Sequence, residues 1–89
     1  MYLAKVRGTV VSTAKDARLK GFKLLITQRI DTEGAYIDKP HVSVDTVGAG
    51  VGETVIITQG SSARFAAAVA DSPIDSTIVG IVDSTEVGA

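Results

Sequence analysis

Val47-Gly48-Ala49-Gly50-Val51-Gly52-Glu53 runs directly into Thr54-Val55-Ile56-Ile57-Thr58, so three glycines at alternate positions lead into a β-branched run. A dinucleotide-binding fingerprint needs G-x-G-x-x-G after a strand and at the opening of a helix, where the phosphate meets free backbone N–H groups. Here the glycines are spaced by two, and the residues after Glu53 read as a strand. The Walker pattern fails as well, because no Gly-Lys-Ser/Thr comes after the glycines. The glycines therefore predict a structural turn between two strands.

The flanking segments repeat the strand signal. From Tyr2 to Val11 one face reads Tyr2, Ala4, Val6, Gly8, Val10 and the other Leu3, Lys5, Arg7, Thr9, Val11, a period of two with one apolar face. Gly8 within it predicts a sharp bend or a close backbone approach, as at the corner of a small barrel. Lys15 to Gly21 reads as a charged loop. Lys23 to Ile30 alternates Leu24, Ile26, Gln28, Ile30 against Leu25, Thr27, Arg29, and Asp31-Thr32-Glu33-Gly34 supplies turn residues. His41 to Asp45 is a short third strand. Thr54 to Thr58 and Thr77 to Val82 are continuous apolar runs, which predicts burial on both faces, in the core or against a second subunit. Between them, alanine-rich Gly60-Ser61-Ser62-Ala63-Arg64-Phe65-Ala66-Ala67-Ala68-Val69 predicts a helix of about two turns capped at Ser62 and ended by Asp71-Ser72-Pro73. The result is an all-β chain: a small, OB-like, five-stranded closed β-barrel with one short helix. OB-folds place their usual helix between strands three and four, whereas here it falls between four and five.

Residues 1–89 fit a single domain, and so short a chain buries a modest fraction of its surface alone, which makes an oligomer a natural source of further burial. Nine basic and ten acidic residues give a net charge of -1, and only two Tyr, two Phe and no Trp are present. Nucleic-acid binders of this size use a basic field and stacking aromatics, so a single-stranded nucleic-acid-binding module is the second reading rather than the first. Without cysteine there is no disulfide or thiolate metal site, and a reducing compartment is expected. Charges in the first seven residues and the absence of a long apolar run predict a cytoplasmic protein without membrane contact.

Catalytic constellations are poorly supplied. Ser61 or Ser62 would need a base, and the one histidine, His41, comes after Pro40 at a strand start. A lone histidine without cysteine does not make a zinc site, and no cofactor is expected. Lys15, Arg18, Lys20 and Lys23 read as a solvated basic loop or a contact for an acidic partner. Arg64 is expected to pair with a carboxylate such as Glu53 or Asp75 and fix the helix to the barrel, or to line an opening.

Several stretches, in order along nearly the whole chain, resemble the pentameric vertex proteins of bacterial microcompartments, the family of carboxysome and ethanolamine-utilisation shell vertices. They are Val6 to Lys15, Lys23-Leu24-Leu25, Asp45 to Glu53, Gly60-Ser61-Ser62-Ala63-Arg64, and Pro73-Ile74-Asp75 leading to Val79-Gly80-Ile81-Val82-Asp83. The resemblance implies an OB-like barrel assembled as a cyclic pentamer, which caps the five-fold corners of a shell beside hexameric or trimeric tiles. It implies no enzymatic activity, and a narrow central opening. Carried over by position, Gly48, Ala49, Gly50, Gly52, Glu53, Ser61, Ser62 and Arg64 are expected at the subunit boundary or near that opening. The chain departs from the family in ending at Val87-Gly88-Ala89 without a basic or aromatic tail, and in having Thr54 where relatives are often bulky.

Overall fold

A computed structural model of the chain describes residues 1–13 and 15–88; Ala14, within the first resembling stretch, and Ala89 lie outside the described residues. Five strands, β1 (Tyr2–Val10), β2 (Lys23–Arg29), β3 (His41–Asp45), β4 (Thr54–Gln59) and β5 (Ser76–Val82), form a closed barrel in the order β1-β2-β3-β5-β4. The α-helix α1 (Gly60–Ala66) lies between β4 and β5, as the sequence predicts. A 3-10 turn, Ala17–Leu19, sits within the charged loop, with the Asp16 side chain accepting from the Arg18 N–H at its start.

All neighbouring strands run antiparallel except β3 and β5, which pair in parallel over only Val44↔Thr77 and Asp45↔Ile78. This short seam is the weak line of the barrel, and side-chain hydroxyls close it. Thr27 Oγ1 and Ser43 Oγ lie 2.7 Å apart, Ser43 Oγ and Ser76 Oγ 2.7 Å apart, and the Thr46 hydroxyl donates to the Ile78 carbonyl at 2.7 Å. Thr27, Ser43 and Ser76 are buried, and a buried hydroxyl is tolerated because it is hydrogen-bonded. Inside the barrel Ala4, Val6, Leu25, Ala49, Val55, Ile57 and Ile78 form the main core. A second cluster, Val44, Ala63, Ala67 and Ile74 with Leu19, Phe22 and Leu24 against it, packs the helix and the 3-10 turn onto β2 and β3.

Three local expectations are corrected. The β1 register slips between Val6 and Gly8, leaving Arg7 as an extra residue. A bulge of this kind reverses which side chains face inward, so Gly8 and Val10 pair with the outward Ile26 and Leu24 and leave the face shared by Tyr2, Ala4 and Val6. The helix begins at Gly60, two residues before the expected Ser62, with Gln59 at the N-cap and no side-chain cap. A glycine at φ +64 turns the chain straight from β4 into the helix, which leaves no room for a serine cap further on. The helix also ends earlier, at Ala66, with Ala68 at φ +59 reversing the chain before Asp71-Ser72-Pro73 is reached.

Within a single chain the two apolar runs are buried at consecutive positions, and so on both faces, at Ile57-Thr58 and Thr77-Ile78, and stay open on at least one face elsewhere. Val55, Ile57 and Ile78 are fully buried, while Ile56, Val79 and Val82 on the same strands remain half-buried.

Candidate functional site

Gly48 and Gly52 have φ of +81° and +92°, the left-handed region that a side chain resists, which explains glycine at both positions. Gly50 does not have positive φ; a Cβ there would lie 3.4 Å from the Glu53 carboxylate. Its backbone N–H donates to Glu53 Oε1 at 2.6 Å, so a turn acidic residue closes over the middle of the stretch.

Asp45, the last residue of β3, holds the other end. Its carboxylate accepts from the N–H groups of Val47 (3.1 Å), Gly48 (3.1 Å) and Ala49 (3.0 Å), with the Lys23 ammonium 3.6 Å away. Lys23 also donates to the Ala49 carbonyl. The N–H groups that a phosphate loop would offer are thus already occupied by a side chain that is only 3% exposed. At the exit, Gly52 N–H donates to the Val6 carbonyl at 2.9 Å and Val6 N–H to the Glu53 carbonyl at 3.0 Å, tying the turn to β1.

The Ala49 side chain is buried in the chain's own core, whereas Val47 and Val51 are 39% and 62% exposed. The turn is a fixed backbone that points one small side chain inward and two branched apolar ones outward.

Ser61 and Ser62 lie exposed on the first turn of α1, and neither hydroxyl bonds to His41, whose Nε2 is 3.3 Å from Asp38 Oδ2. No nucleophile and base are brought together there. Arg64 fixes the helix as expected but through another partner: it pairs with neither Glu53 nor Asp75 and instead donates to the Ile74 carbonyl at 3.2 Å, pinning the helix to the segment that enters β5. The Thr77 hydroxyl, donating to the Ala63 carbonyl at 2.8 Å, adds a second pin. Beside them Phe65 is 77% exposed. In the basic loop, Arg18 pairs with Asp16 at 2.8 Å and lies 3.6 Å from Asp71, and Lys15 donates to the Ser12 carbonyl at 2.9 Å, so most of its charge is held within the chain. The Asp45 cradle and the hydroxyl seam escaped sequence reasoning. Asp45 ahead of Thr46 and a glycine turn was the available signal for the first, since aspartate before a turn commonly accepts from N–H groups just ahead. The second had none, because serine and threonine on short strands do not reveal which face they occupy.

Barrel, turn and helix define a small all-β module whose loops are braced by their own polar groups and which leaves several large apolar side chains uncovered. Residues 1–83 match the family described as Ethanolamine utilisation protein EutN/carboxysome, and the chain belongs to that family. It is 46% identical over 89 residues to the carboxysome shell vertex protein CcmL of Synechocystis sp., covering 100% of this chain and 89% of that protein. It is 51% identical over 86 residues to the bacterial microcompartment shell vertex protein GrpN of Rhodospirillum rubrum, covering 97% of each. The solved structure described as the GrpN pentameric microcompartment shell protein from Rhodospirillum rubrum superposes with a TM-score of 0.89 at 50% identity, over 99% of this chain and 100% of that one. These relatives are named for shell vertices, and the nucleic-acid-binding alternative finds no support in them.

Proposed function

We propose that this chain is a structural, non-enzymatic shell protein that assembles with copies of itself into a cyclic homopentamer and closes the five-fold vertices of a bacterial microcompartment in the cytoplasm, beside hexameric or trimeric tiles. The observation that carries the reading is the braced glycine turn. Ordering a loop costs conformational entropy on association, and a turn already fixed by Asp45 and Glu53 meets a neighbour without that cost. Its exposed Val47 and Val51 are the kind of side chains an interface covers.

Gly48, Gly50, Gly52 and Glu53 are assigned to this boundary, with Ala49 contributing its backbone. Ser61, Ser62 and Arg64 are assigned near the ring axis, where a short helix braced by Arg64 and Thr77 presents two hydroxyls to solvent. A ring built this way uses two different patches per subunit, and closes if the rotation between neighbours permits.

Coexpression with hexameric tile proteins of a matching shell tests the function. Closed polyhedral particles that contain this chain at their corners, and open or elongated ones when it is omitted, are expected. Equally closed particles with and without it would overturn the vertex role.

A further inference from the structure

The outward positions of an antiparallel barrel that faces water are ordinarily polar, and two rows on this barrel are not. Val55 and Ile57 point into the core, so Ile56 between them points out, and the strand register sets it beside Leu3 of β1 on one side and Gly80 of β5 on the other. Leu25 likewise points in, so Ile26 points out, between Gly8 of β1 and Val42 of β3. In each row the isoleucine lies across the glycine. A Cβ added at Gly80 would stand 3.3 Å from Ile56 Cδ1, and one added at Gly8 would stand 3.5 Å from Ile26 Cδ1. The missing side chains leave two flat aliphatic walls.

The chain does not finish covering either wall. Leu3, Ile26 and Ile56 are half-buried and Val42 is 52% exposed, although the helix and the 3-10 turn do cover the neighbouring row on β2 and β3, at Leu24 and Val44. The walls share no residue. One is centred on β4 and the other on β2, the strands that flank β1 on opposite sides, and along β1 the extra residue Arg7, stacked on the Tyr36 ring, falls between Leu3 and Gly8. The β4 wall also runs into the glycine turn: the row beside it is Lys5, Thr54 and Val82, and the Lys5 ammonium donates to the Gly52 carbonyl at 3.4 Å.

We infer that the β4 wall of one copy packs on the β2 wall of the next. This rests on the ring proposed above and names the two surfaces that join in it. Five copies around one axis cannot be held by self-paired contacts, which link chains only two by two, so each subunit must present two different patches. These two walls are such patches, and the turn already assigned to the subunit boundary is continuous with one of them, which makes a second copy the occupant.

One acidic substitution per wall tests it, read by native mass spectrometry of each variant alone and of the two mixed. Val42→Asp spoils the β2 wall and Ile56→Asp the β4 wall; Leu3→Asp repeats the second change from another strand if circular dichroism shows Ile56→Asp to be poorly folded. Both walls receive the same charge, so the altered surfaces do not attract each other. At the concentration where the parent forms a ring, each variant alone is expected as a single chain. Mixed in equal amounts at high concentration, the two are expected to form pairs holding one of each, through the one contact left undamaged. Rings that persist in the variant of either wall would overturn the inference and leave the ring reading standing. Variants that pair with themselves would show that like walls meet, and a mixture that stays as single chains would show that unlike walls do not; either overturns the pairing. A parent chain with no ring would instead overturn the assembly reading on which the inference rests.

Discussion

At the scale of single residues, Asp45 does more for the turn than the glycines that draw attention to it. Its carboxylate serves three N–H groups at 3.0–3.1 Å while almost wholly removed from water. Asp45→Ala leaves those donors without their acceptor and takes the carboxylate from beside Lys23, which is expected to cost about 1–3 kcal/mol, read as a lower urea midpoint with unchanged slope. Asp45→Asn keeps one acceptor oxygen and should lose less. A second residue contributes to stability at alkaline pH. Burial raises the Tyr2 phenol above its ordinary value of 10.0, outweighing the Ser76 hydrogen bond and the Arg29 charge that lower it. The folded chain therefore keeps this proton after the unfolded chain has lost it, and stability falls as pH rises through and above about 10. Thermal melts across that range should show the decline in the parent and a flatter profile in Tyr2→Phe; equal slopes would remove Tyr2 from the explanation.

Among the elements, the parallel seam between β3 and β5 is where the barrel has least backbone pairing and most side-chain support. Ser43 sits in the middle of its hydroxyl chain. Ser43→Ala strands the buried Thr27 hydroxyl and takes one partner from Ser76, and a loss of about 1–3 kcal/mol is expected, with amide exchange accelerated in β3 and β5 before β1 and β2. Uniform acceleration across all strands would place the weak line elsewhere. The strands themselves were legible in the sequence because alternation and β-branched runs mark them within a residue or so: His41 to Asp45 is as expected, and β4 extends one residue further, to Gln59. The parity of β1 beyond Val6 was not, since a bulge depends on how two strands match in length and curvature and not on either sequence alone. The helix start was displaced for a related reason. Serine is a good cap in isolation, but the turn from β4 sets the entry of the helix through Gly60. At the candidate site, the glycine turn was visible as a turn and Asp45 ahead of it hinted at the brace, while which N–H groups Asp45 and Glu53 accept from is a matter of distance that sequence does not give. Arg64 shows the same limit, choosing a carbonyl over both carboxylates.

For the molecule as a whole, the barrel closes a core and leaves a set of apolar groups uncovered: Val47 and Val51 on the turn, Phe65 on the helix, Ile37 on the arm. The chain is also elongated, 46 Å by 23 Å by 21 Å. Such a surface fits a subunit that is completed by its neighbours. Gly50→Val places a branched side chain where the Glu53 carboxylate already lies 3.4 Å from a Cβ, so it should push that carboxylate away and deform the tip of the turn. Its far-ultraviolet circular dichroism is expected to stay β-like while the oligomer is lost or weakened; an intact ring would refute the turn's place at the subunit boundary. Whether five chains close into one ring is decided by native mass spectrometry of the purified protein at micromolar concentration. A dominant species with the mass of five chains is expected, and a spectrum holding only the single chain would contradict the vertex assembly.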